Sequence, residues 1–374
     1  MEYGLPCRRL GGTGLEVSVL GLGGFHQVEA LQETVDEVVD RYLEAGGSYV
    51  ETACGYGRGA SEFKLGRALV GRRDRVVLAS KSNGRTREDA WRDINESLER
   101  LQTDRFDLYF FHNIGTREML DATCADDGAV HALLRARDEG MIGHIAMSSH
   151  WPELYVEAAG RLPIEAVLVW GNYLDFCNFP EIPNRVLPEL RRRDIGVIFM
   201  KPLADGYLYR SPREALRYAL SRDVDCVVAG FNSVAQLETD LAACCDPSPV
   251  TDEEVERILE SAPELGTYVC RQCAVCTVAD DGDGLKRIFE LEGKFDRQMD
   301  DRLPTDAAHY ALRERLKGWF QAQGRARQRY AGLKRKAPEF LGEKPAPCRY
   351  GLDVPRKLRI VHAKLSPDER IEVL

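Results

Sequence analysis

The chain has 374 residues, a formal net charge of −9, 44% hydrophobic residues and 30% charged residues, which is ordinary for a globular enzyme. The negative charge argues against general nucleic-acid binding, because phosphates would be repelled, and no apolar run reaches the 18 residues of a membrane span. Eleven cysteines, with no apolar segment near Met1, indicate a reducing compartment, so we expect a cytoplasmic protein.

Short apolar runs alternate with amphipathic helical patterns from residue 16 to about residue 245. The eight runs that we predict as strands cover 17–22, 48–53, 76–81, 108–113, 144–149, 166–172, 196–202 and 226–230. Apolar strands separated by helices are typical of an α/β fold with a parallel sheet covered by helices. Eight such units match a closed (β/α)8 TIM barrel, and a doubly wound open sheet is the alternative.

Two glycine-rich pieces, 11–14 and 21–24, lie near the start of the chain. Neither gives the spacing G-x-G-x-x-G at the entry to a helix, which a dinucleotide fingerprint requires. We therefore predict a hairpin turn at the first piece and a strand-end loop at the second.

The alternation stops after residue 249, and one further helix is predicted over 252–261. The tail beyond it is helical in pattern, rich in arginine and without strand-like runs. We predict two domains, a barrel over 1–262 and a small helical domain over 263–374.

Four polar side chains stand at or just beyond the ends of three consecutive predicted strands: Glu51, Tyr56, Lys81 and His112. Parallel strands that lie side by side bring such residues to one edge of a sheet. A tyrosine with a pKa near ~10 can donate a proton, a nearby lysine ammonium lowers that pKa, and a carboxylate holds the lysine. The set therefore predicts a proton-donating site.

Several stretches resemble the aldo-keto reductases: 8–18, 51–57, 61–69 and 200–206. The resemblance implies a (β/α)8 barrel that binds NADP(H) across the carboxyl ends of its strands and interconverts a carbonyl and an alcohol by hydride transfer. It assigns Tyr56 as the general acid/base, Lys81 as its electrostatic partner and His112 as the residue that orients the carbonyl oxygen. Glu51 stands where the family has an aspartate.

The same resemblance places ten residues at the cofactor. They are Ser148 and Ser149 at the carboxamide, Met200 beneath the ring, Leu203, Ala204 and Gly206 along the pyrophosphate, and Gly230, Asn232, Gln236 and Asp240 at the adenosine end. Ser149 replaces the usual asparagine, and Gln236 occupies the position of an arginine that would meet a 2′-phosphate. NADPH is therefore expected from the family, and NADH is the alternative.

Cys270, Cys273 and Cys276 form C-x2-C-x2-C, the start of the run found in bacterial ferredoxins. The fourth cysteine of that run is missing, and Cys348 resembles a distant cysteine that completes such a site. This resembles the iron–sulfur branch of the family and implies one 4Fe–4S cluster on the four thiolates in a ferredoxin-like domain. Zinc on the same residues and a vestigial motif with free thiols are the alternatives.

A basic stretch over 313–336 is the last feature of the tail. It could dock an acidic electron-transfer partner, less plausibly nucleic acid, while a solvated helix face is the simpler interpretation. The sequence predicts an oxidoreductase acting on a small carbonyl or alcohol. Two alternatives stay open: a catalytically drifted barrel that acts as a redox-sensing regulatory module, and an epimerase-like enzyme that uses NADP without net redox change.

Overall fold

The computed structural model describes residues 4–246, 248–273, 275, 284–296, 322–341 and 347–366, which fall into two compact units. The barrel unit comprises the described residues of Met1–Asn172, Glu181–Asp205 and Ser211–Thr251. The helical unit comprises the described residues of Tyr173–Pro180, Gly206–Arg210 and Asp252–Leu374. The domain limits predicted from the sequence, 1–262 and 263–374, stay a prediction.

Eight parallel strands close into a barrel, which confirms the predicted (β/α)8 architecture. They are β3 (Leu20–Gly23), β4 (Tyr49–Glu51), β5 (Val77–Ser82), β6 (Phe106–Phe111), β7 (Ile142–Ser148), β8 (Ala166–Trp170), β9 (Gly196–Met200) and β10 (Cys226–Ala229). Neighbours along the chain are neighbours in the barrel, and β10 pairs with β3 to close it. Every residue of β8, β9 and β10 is buried, as expected for strands covered on both faces.

An antiparallel hairpin precedes the barrel, formed by β1 (Cys7–Arg9) and β2 (Glu16–Ser18). The predicted turn over 11–14 joins these two strands, whereas the predicted strand 17–22 divides into β2 and β3. Gly11 lies in the left-handed region with φ +45°, and a Cβ there would stand 2.3 Å from the backbone nitrogen of Gly196. The hairpin therefore packs on the barrel through a backbone approach that needs glycine.

The helices of the barrel unit follow its strands. They are α1 (Gln32–Glu44), α2 (Ala60–Ala68), α3 (Arg87–Leu101), α4 (Arg117–Cys124), α5 (Ala129–Asp138), α6 (Leu154–Ala158), α8 (Leu187–Arg192), α9 (Pro212–Leu220) and α10 (Val234–Cys244), with α7 (Tyr173–Asn178) assigned to the helical unit. Short 3-10 helices cover Gly11–Thr13, Gly24–Val28, Arg73–Arg75 and Ala204–Gly206, and a π-helix covers Ile182–Val186. In the described part of the chain, no helix has the length and apolar character to cross a membrane.

The remaining described helices belong to the helical unit. They are α11 (Asp252–Ser261), α12 (Leu285–Asp296), α13 (Ala322–Ala331), α14 (Ala337–Phe340) and α15 (Val354–Leu365). The apolar faces of α12, α13, α14 and α15 share one core, in which Tyr330 is fully buried. The Tyr330 hydroxyl accepts a hydrogen bond from the Ala337 backbone nitrogen at 2.8 Å and lies 2.9 Å from His362 Nδ1, so the buried phenol ties three helices together.

Candidate active site

The four polar residues predicted from the strand ends meet at the carboxyl ends of three neighbouring barrel strands. Glu51 is the last residue of β4, Lys81 lies near the end of β5, and His112 directly follows β6. Tyr56 lies in the turn between β4 and α2. Because β4 pairs with β5 and β5 with β6 in parallel, these side chains rise from the same edge of the barrel.

A buried ion pair forms the centre of the site. Lys81 Nζ lies 2.9 Å from Glu51 Oε2, and both side chains are buried. The ammonium also donates to the Thr52 carbonyl oxygen at 2.7 Å and to Tyr56 Oη at 3.4 Å. A buried ammonium is costly unless its charge is paired and its protons are bonded, and these three contacts meet that need. The extra methylene of Glu51 is thus accommodated with its contact to Lys81 intact.

The pKa values of Tyr56 and Lys81 keep the tyrosine protonated and the lysine charged. Burial raises the pKa of Tyr56; the Lys81 ammonium opposes this and the Glu51 carboxylate adds to it, so the pKa stays above its ordinary value. Burial alone would lower the pKa of Lys81, but Glu51 and Tyr56 together raise it. At neutral pH the site therefore holds a phenol proton next to a charged ammonium.

His112 and Phe25 contact the Tyr56 ring edge-on. The centroid of the His112 ring lies 5.5 Å from that of Tyr56, and the centroid of Phe25 lies 5.1 Å away. His112 Nδ1 is buried and has no hydrogen-bond partner in the described part of the chain. Burial, with the positive charges of Lys81 and Arg85 and the neighbouring His150, lowers the pKa of His112 well below its ordinary value. The imidazole is therefore neutral.

The turn that carries Tyr56 has an unusual backbone. Gly57, Arg58 and Gly59 all lie in the left-handed region, with φ +60°, +56° and +89°. A Cβ on Gly57 would meet Val28 Cγ1 at 2.6 Å, so both the dihedral angle and the space call for glycine. Glycines in the G-Y-G segment thus allow the chain to reverse directly after Tyr56.

The two serines predicted at the carboxamide differ in what their hydroxyls do. Ser148 Oγ accepts a hydrogen bond from the Asn113 backbone nitrogen at 2.9 Å, and its own proton has no acceptor in the described residues. Ser149 Oγ instead donates to the Ile114 carbonyl oxygen at 2.7 Å and accepts from the Trp151 backbone nitrogen at 2.8 Å. Ser148 is therefore available as a donor, whereas Ser149 stabilises the strand-end turn.

The residues predicted along the nicotinamide and pyrophosphate lie at the end of β9 and in the loop after it. They are Met200, Leu203, Ala204 and Gly206. In this loop Lys201, Ala204 and Asp205 have φ between +49° and +56°, a region that non-glycine residues rarely adopt. Lys201 Nζ and Asp205 Oδ1 lie 2.5 Å apart, so a local ion pair holds the strained loop.

The residues predicted at the adenosine end follow β10. Gly230 lies directly against His26, since a Cβ there would stand 1.8 Å from His26 Nδ1. Gln236 Oε1 accepts a hydrogen bond from the Asn232 backbone nitrogen at 2.9 Å. Asp240 is buried, and burial raises the pKa of its carboxyl to about 7. Gln236 and Asp240 belong to α10, whereas Gly230 and Asn232 lie in the turn between β10 and that helix.

Sequence reasoning missed two residues that bear on His112, namely Arg85 and His150. Arg85 lies in the turn after β5, and His150 lies two residues beyond the end of β7. Both influence the pKa of His112. The sequence marks these two residues only weakly. Each is a polar residue a few positions beyond the end of a strand that carries a predicted site residue.

The cysteines of the predicted cluster are partly described. Cys270, Cys273 and Cys348 are half-buried, and Cys276 lies outside the described residues. Cys270 and Cys348 both pack against the apolar core of the helical unit. In the described ranges, no three His, Cys, Asp or Glu side chains form a group that could hold a metal ion.

The basic stretch 313–336 is described only from residue 322 onward. There, Arg327 lies over the Phe295 ring at 5.2 Å and Arg335 over the Phe340 ring at 4.0 Å. Arg327 also donates to the Lys364 carbonyl oxygen. These contacts are those of an amphipathic helix surface, the simpler of the two interpretations.

Comparison with known proteins identifies relatives of the barrel. The profile of the Aldo/keto reductase family matches residues 19–214. An uncharacterized oxidoreductase of Bacillus subtilis, YqkF, is 29% identical over 221 residues, which cover 55% of this chain and 67% of the relative. The L-galactose dehydrogenase of Arabidopsis thaliana is 29% identical over 310 residues, covering 70% of this chain and 96% of the relative.

A solved structure gives the same result. An aldo-keto reductase from Bacillus halodurans, in its holo form, superposes with a TM-score of 0.60 at 26% identity. The match covers 68% of this chain and 95% of that protein. Profile, sequence and structure thus point to the same family for the barrel unit.

Proposed function

This chain belongs to the aldo/keto reductase family of oxidoreductases, and from that premise we propose that it interconverts a small carbonyl compound and its alcohol with NADP(H), using Tyr56 as the general acid/base. The observation that carries the proposal is the Glu51–Lys81–Tyr56 arrangement beside His112 at the carboxyl ends of the strands. Active sites of (β/α)8 barrels lie at this end.

The proton chemistry follows from these contacts. When hydride adds to a carbonyl carbon, the oxygen gains negative charge and takes the proton of the Tyr56 hydroxyl. Lys81, 3.4 Å from Tyr56 Oη, stabilises the phenolate left behind, and Glu51 fixes the ammonium in place. Neutral His112 can donate a hydrogen bond to the same oxygen and orient it. The raised pKa of Tyr56 favours reduction over oxidation at neutral pH.

The chain's residues fit a bound nicotinamide cofactor, which would supply the hydride. Ser148 has an uncommitted hydroxyl proton for an amide oxygen, and the loop at Ala204 lies directly after a strand end, where a cofactor would pass. Ser149 and Gln236 are engaged with the backbone instead. We therefore assign Ser148 the carboxamide contact and give Ser149 a supporting role in the turn.

The test is a titration of NADPH and NADH against protein purified without oxygen, followed by a carbonyl screen that records NADPH consumption. Micromolar binding of either nucleotide, with turnover lost in Tyr56→Phe and binding kept, is the expected result. If the folded protein binds neither, the regulatory alternative replaces the proposal. Binding with substrate conversion but no net consumption of cofactor would instead indicate redox-neutral, epimerase-like chemistry.

We further propose that Cys270, Cys273, Cys276 and Cys348 hold one 4Fe–4S cluster. The support is the C-x2-C-x2-C spacing together with the packing of Cys270 and Cys348 against the same apolar core. An electron-transfer partner of acidic character at 313–336 would be relevant only if such a cluster is present.

Metal analysis of anaerobically purified protein tests this. We expect iron and sulfide in equal amounts. Both should be lost in Cys270→Ser and retained in Cys245→Ser, a matched variant of another half-buried cysteine. Zinc without sulfide would establish the alternative metal, and protein without bound metal would mean that the motif is vestigial.

A further inference from the structure

Arg85 is held in an unusual way for a half-buried cation. Its Nη1 donates to the carbonyl oxygens of Asn83 and Gly84, both at 3.2 Å. Its Nη2 donates to the carbonyl oxygens of His112 and Asn113. One guanidinium therefore ties the turn after β5 to the residues directly after β6.

No carboxylate in the described part of the chain forms an ion pair with Arg85, and its Nε is buried without a partner. Burial lowers the pKa of Arg85, and the carboxylate of Asp93 opposes this from a distance, since it bonds Ser82 and the Gly84 backbone nitrogen. A cation in such a place costs free energy, which a surface position would avoid. The free-energy cost of burying the Arg85 cation suggests that this residue does more than keep the protein surface charged.

The segment that Arg85 holds has an uncommon backbone conformation. Asn113 has φ +49°, in the left-handed region, which asparagine tolerates better than most non-glycine residues. Its backbone nitrogen donates to Ser148 Oγ at 2.9 Å, and the His112 backbone nitrogen donates to the Ser82 carbonyl oxygen at 3.0 Å. The Arg85 contacts complete this set, because they fix the carbonyl groups of the same two residues.

We propose that Arg85 is a positioning residue for His112: it fixes the His112–Asn113 backbone and so holds the imidazole in place beside Tyr56. The proposal deepens the proposed carbonyl reduction and rests on it for its kinetic part. Its structural part, the state of the His112 ring, can be measured without any turnover.

The charges around His112 act in one direction. Lys81 from β5, Arg85 from the following turn and His150 from beyond β7 all disfavour a positive imidazole, and Tyr56 meets the ring edge-on. Lys81 is already balanced by Glu51, whereas Arg85 has no such partner. Protonation would also put a charged N–H at the buried Nδ1, where no described acceptor lies. Loss of the Arg85 charge should therefore raise the pKa of His112.

NMR of the full chain tests the placement of the ring. The His112 ring signals, assigned by their loss in His112→Asn, should move in Arg85→Gln, because the ring loses its fixed position beside the Tyr56 ring. The backbone amides of His112 and Asn113 should also exchange with solvent about tenfold faster in Arg85→Gln than in the wild type, and less so in Arg85→Lys. Arg87→Gln is the matched control, because Arg87 lies two residues away, is exposed and bonds the Asp126 carbonyl.

Kinetics test the positioning. For Arg85→Gln we expect kcat/KM to fall by about a hundredfold, mostly in kcat. Arg85→Lys should lose about tenfold, and Arg87→Gln should match the wild type. A folded Arg85→Gln protein whose His112 ring signals and amide exchange match those of the wild type overturns the inference, whether or not the protein turns over. Absence of turnover in every form, with the NMR result as expected, would instead count against the proposed function alone.

Discussion

The two units each hold a cluster built from the same residue types, and only one cluster leaves a proton available. The barrel cluster is Glu51, Tyr56 and Lys81, and the helical cluster is Tyr268, Glu292, Lys357 and Lys364. In the described residues, Tyr56 Oη has one hydrogen-bond partner, the Lys81 ammonium, so its proton is not donated to a protein group. Tyr268 Oη instead donates to Glu292 and accepts from Lys364 at 3.0 Å.

The difference shows that two features distinguish a reactive tyrosine from a structural one: where the tyrosine lies in the fold, and whether its hydroxyl proton is already donated to a protein group. Lys357 lies over the face of the Tyr268 ring at 3.4 Å and pairs with Glu292, which cross-links α12 to α15. Burial and the Glu292 charge raise the pKa of Tyr268. In the barrel, by contrast, parallel strands bring the same groups to an open end where a ligand can reach them.

Replacing each tyrosine by phenylalanine gives the largest expected contrast. Tyr56→Phe should lower kcat for carbonyl reduction by about a thousandfold, because the proton donor is removed while nucleotide binding is untouched. Tyr268→Phe should leave kcat unchanged and lower the free energy of unfolding by about 1 kcal/mol, the usual net contribution of one hydrogen bond. Steady-state kinetics and denaturant unfolding check the pair. A Tyr56→Phe enzyme with near-normal kcat would assign the proton to another group.

The two lysines should separate activity from stability. Lys81→Met leaves the Glu51 carboxylate buried and unpaired, so we expect a loss of about 3–5 kcal/mol in unfolding free energy together with at least a hundredfold loss in kcat. Lys357→Met should lower the unfolding free energy by less, because Lys364 still pairs with Glu292 at 2.9 Å. It should leave kcat unchanged. If Lys357→Met reduced kcat with the barrel still folded, the helical cluster would have a role in catalysis.

Much of this contrast was predictable for the barrel and little of it for the helical unit. Eight apolar runs of strand length predicted the barrel. Residues at the ends of consecutive parallel strands lie close together, so the sequence also predicted that Glu51, Lys81 and His112 meet. Arg85 could not be predicted in this way, because its function depends on carbonyl groups 27 and 28 positions away. Glu292 and Lys357 are 65 positions apart and each resembles an ordinary helix surface residue, so no local pattern marks them.

The pH dependence of the two reaction directions sharpens the assignment of Tyr56. Because its pKa is raised, reduction, which needs the phenol, should be independent of this group up to at least pH ~10. Oxidation needs the phenolate, so its kcat should rise about tenfold per pH unit through the neutral range. Lys81→Met, which removes the charge that favours the phenolate, should move the oxidation limb to still higher pH. An oxidation rate that is flat in this range would exclude Tyr56 as the titrating group.

The smallest expected effect concerns the methylene by which Glu51 exceeds the family's aspartate. Glu51→Asp draws the carboxylate back by about 1.5 Å, one C–C bond, from an ammonium that Thr52 still holds at 2.7 Å. The charge stays, so we expect kcat to fall only about tenfold, through poorer placement of Lys81 at Tyr56. Glu292→Asp shortens the matching carboxylate of the helical cluster and should affect only unfolding, measured alongside. A higher kcat in Glu51→Asp would show that the longer side chain of Glu51 places Lys81 less well than an aspartate does. A lower kcat would show that the backbone of this barrel is adapted to the longer side chain.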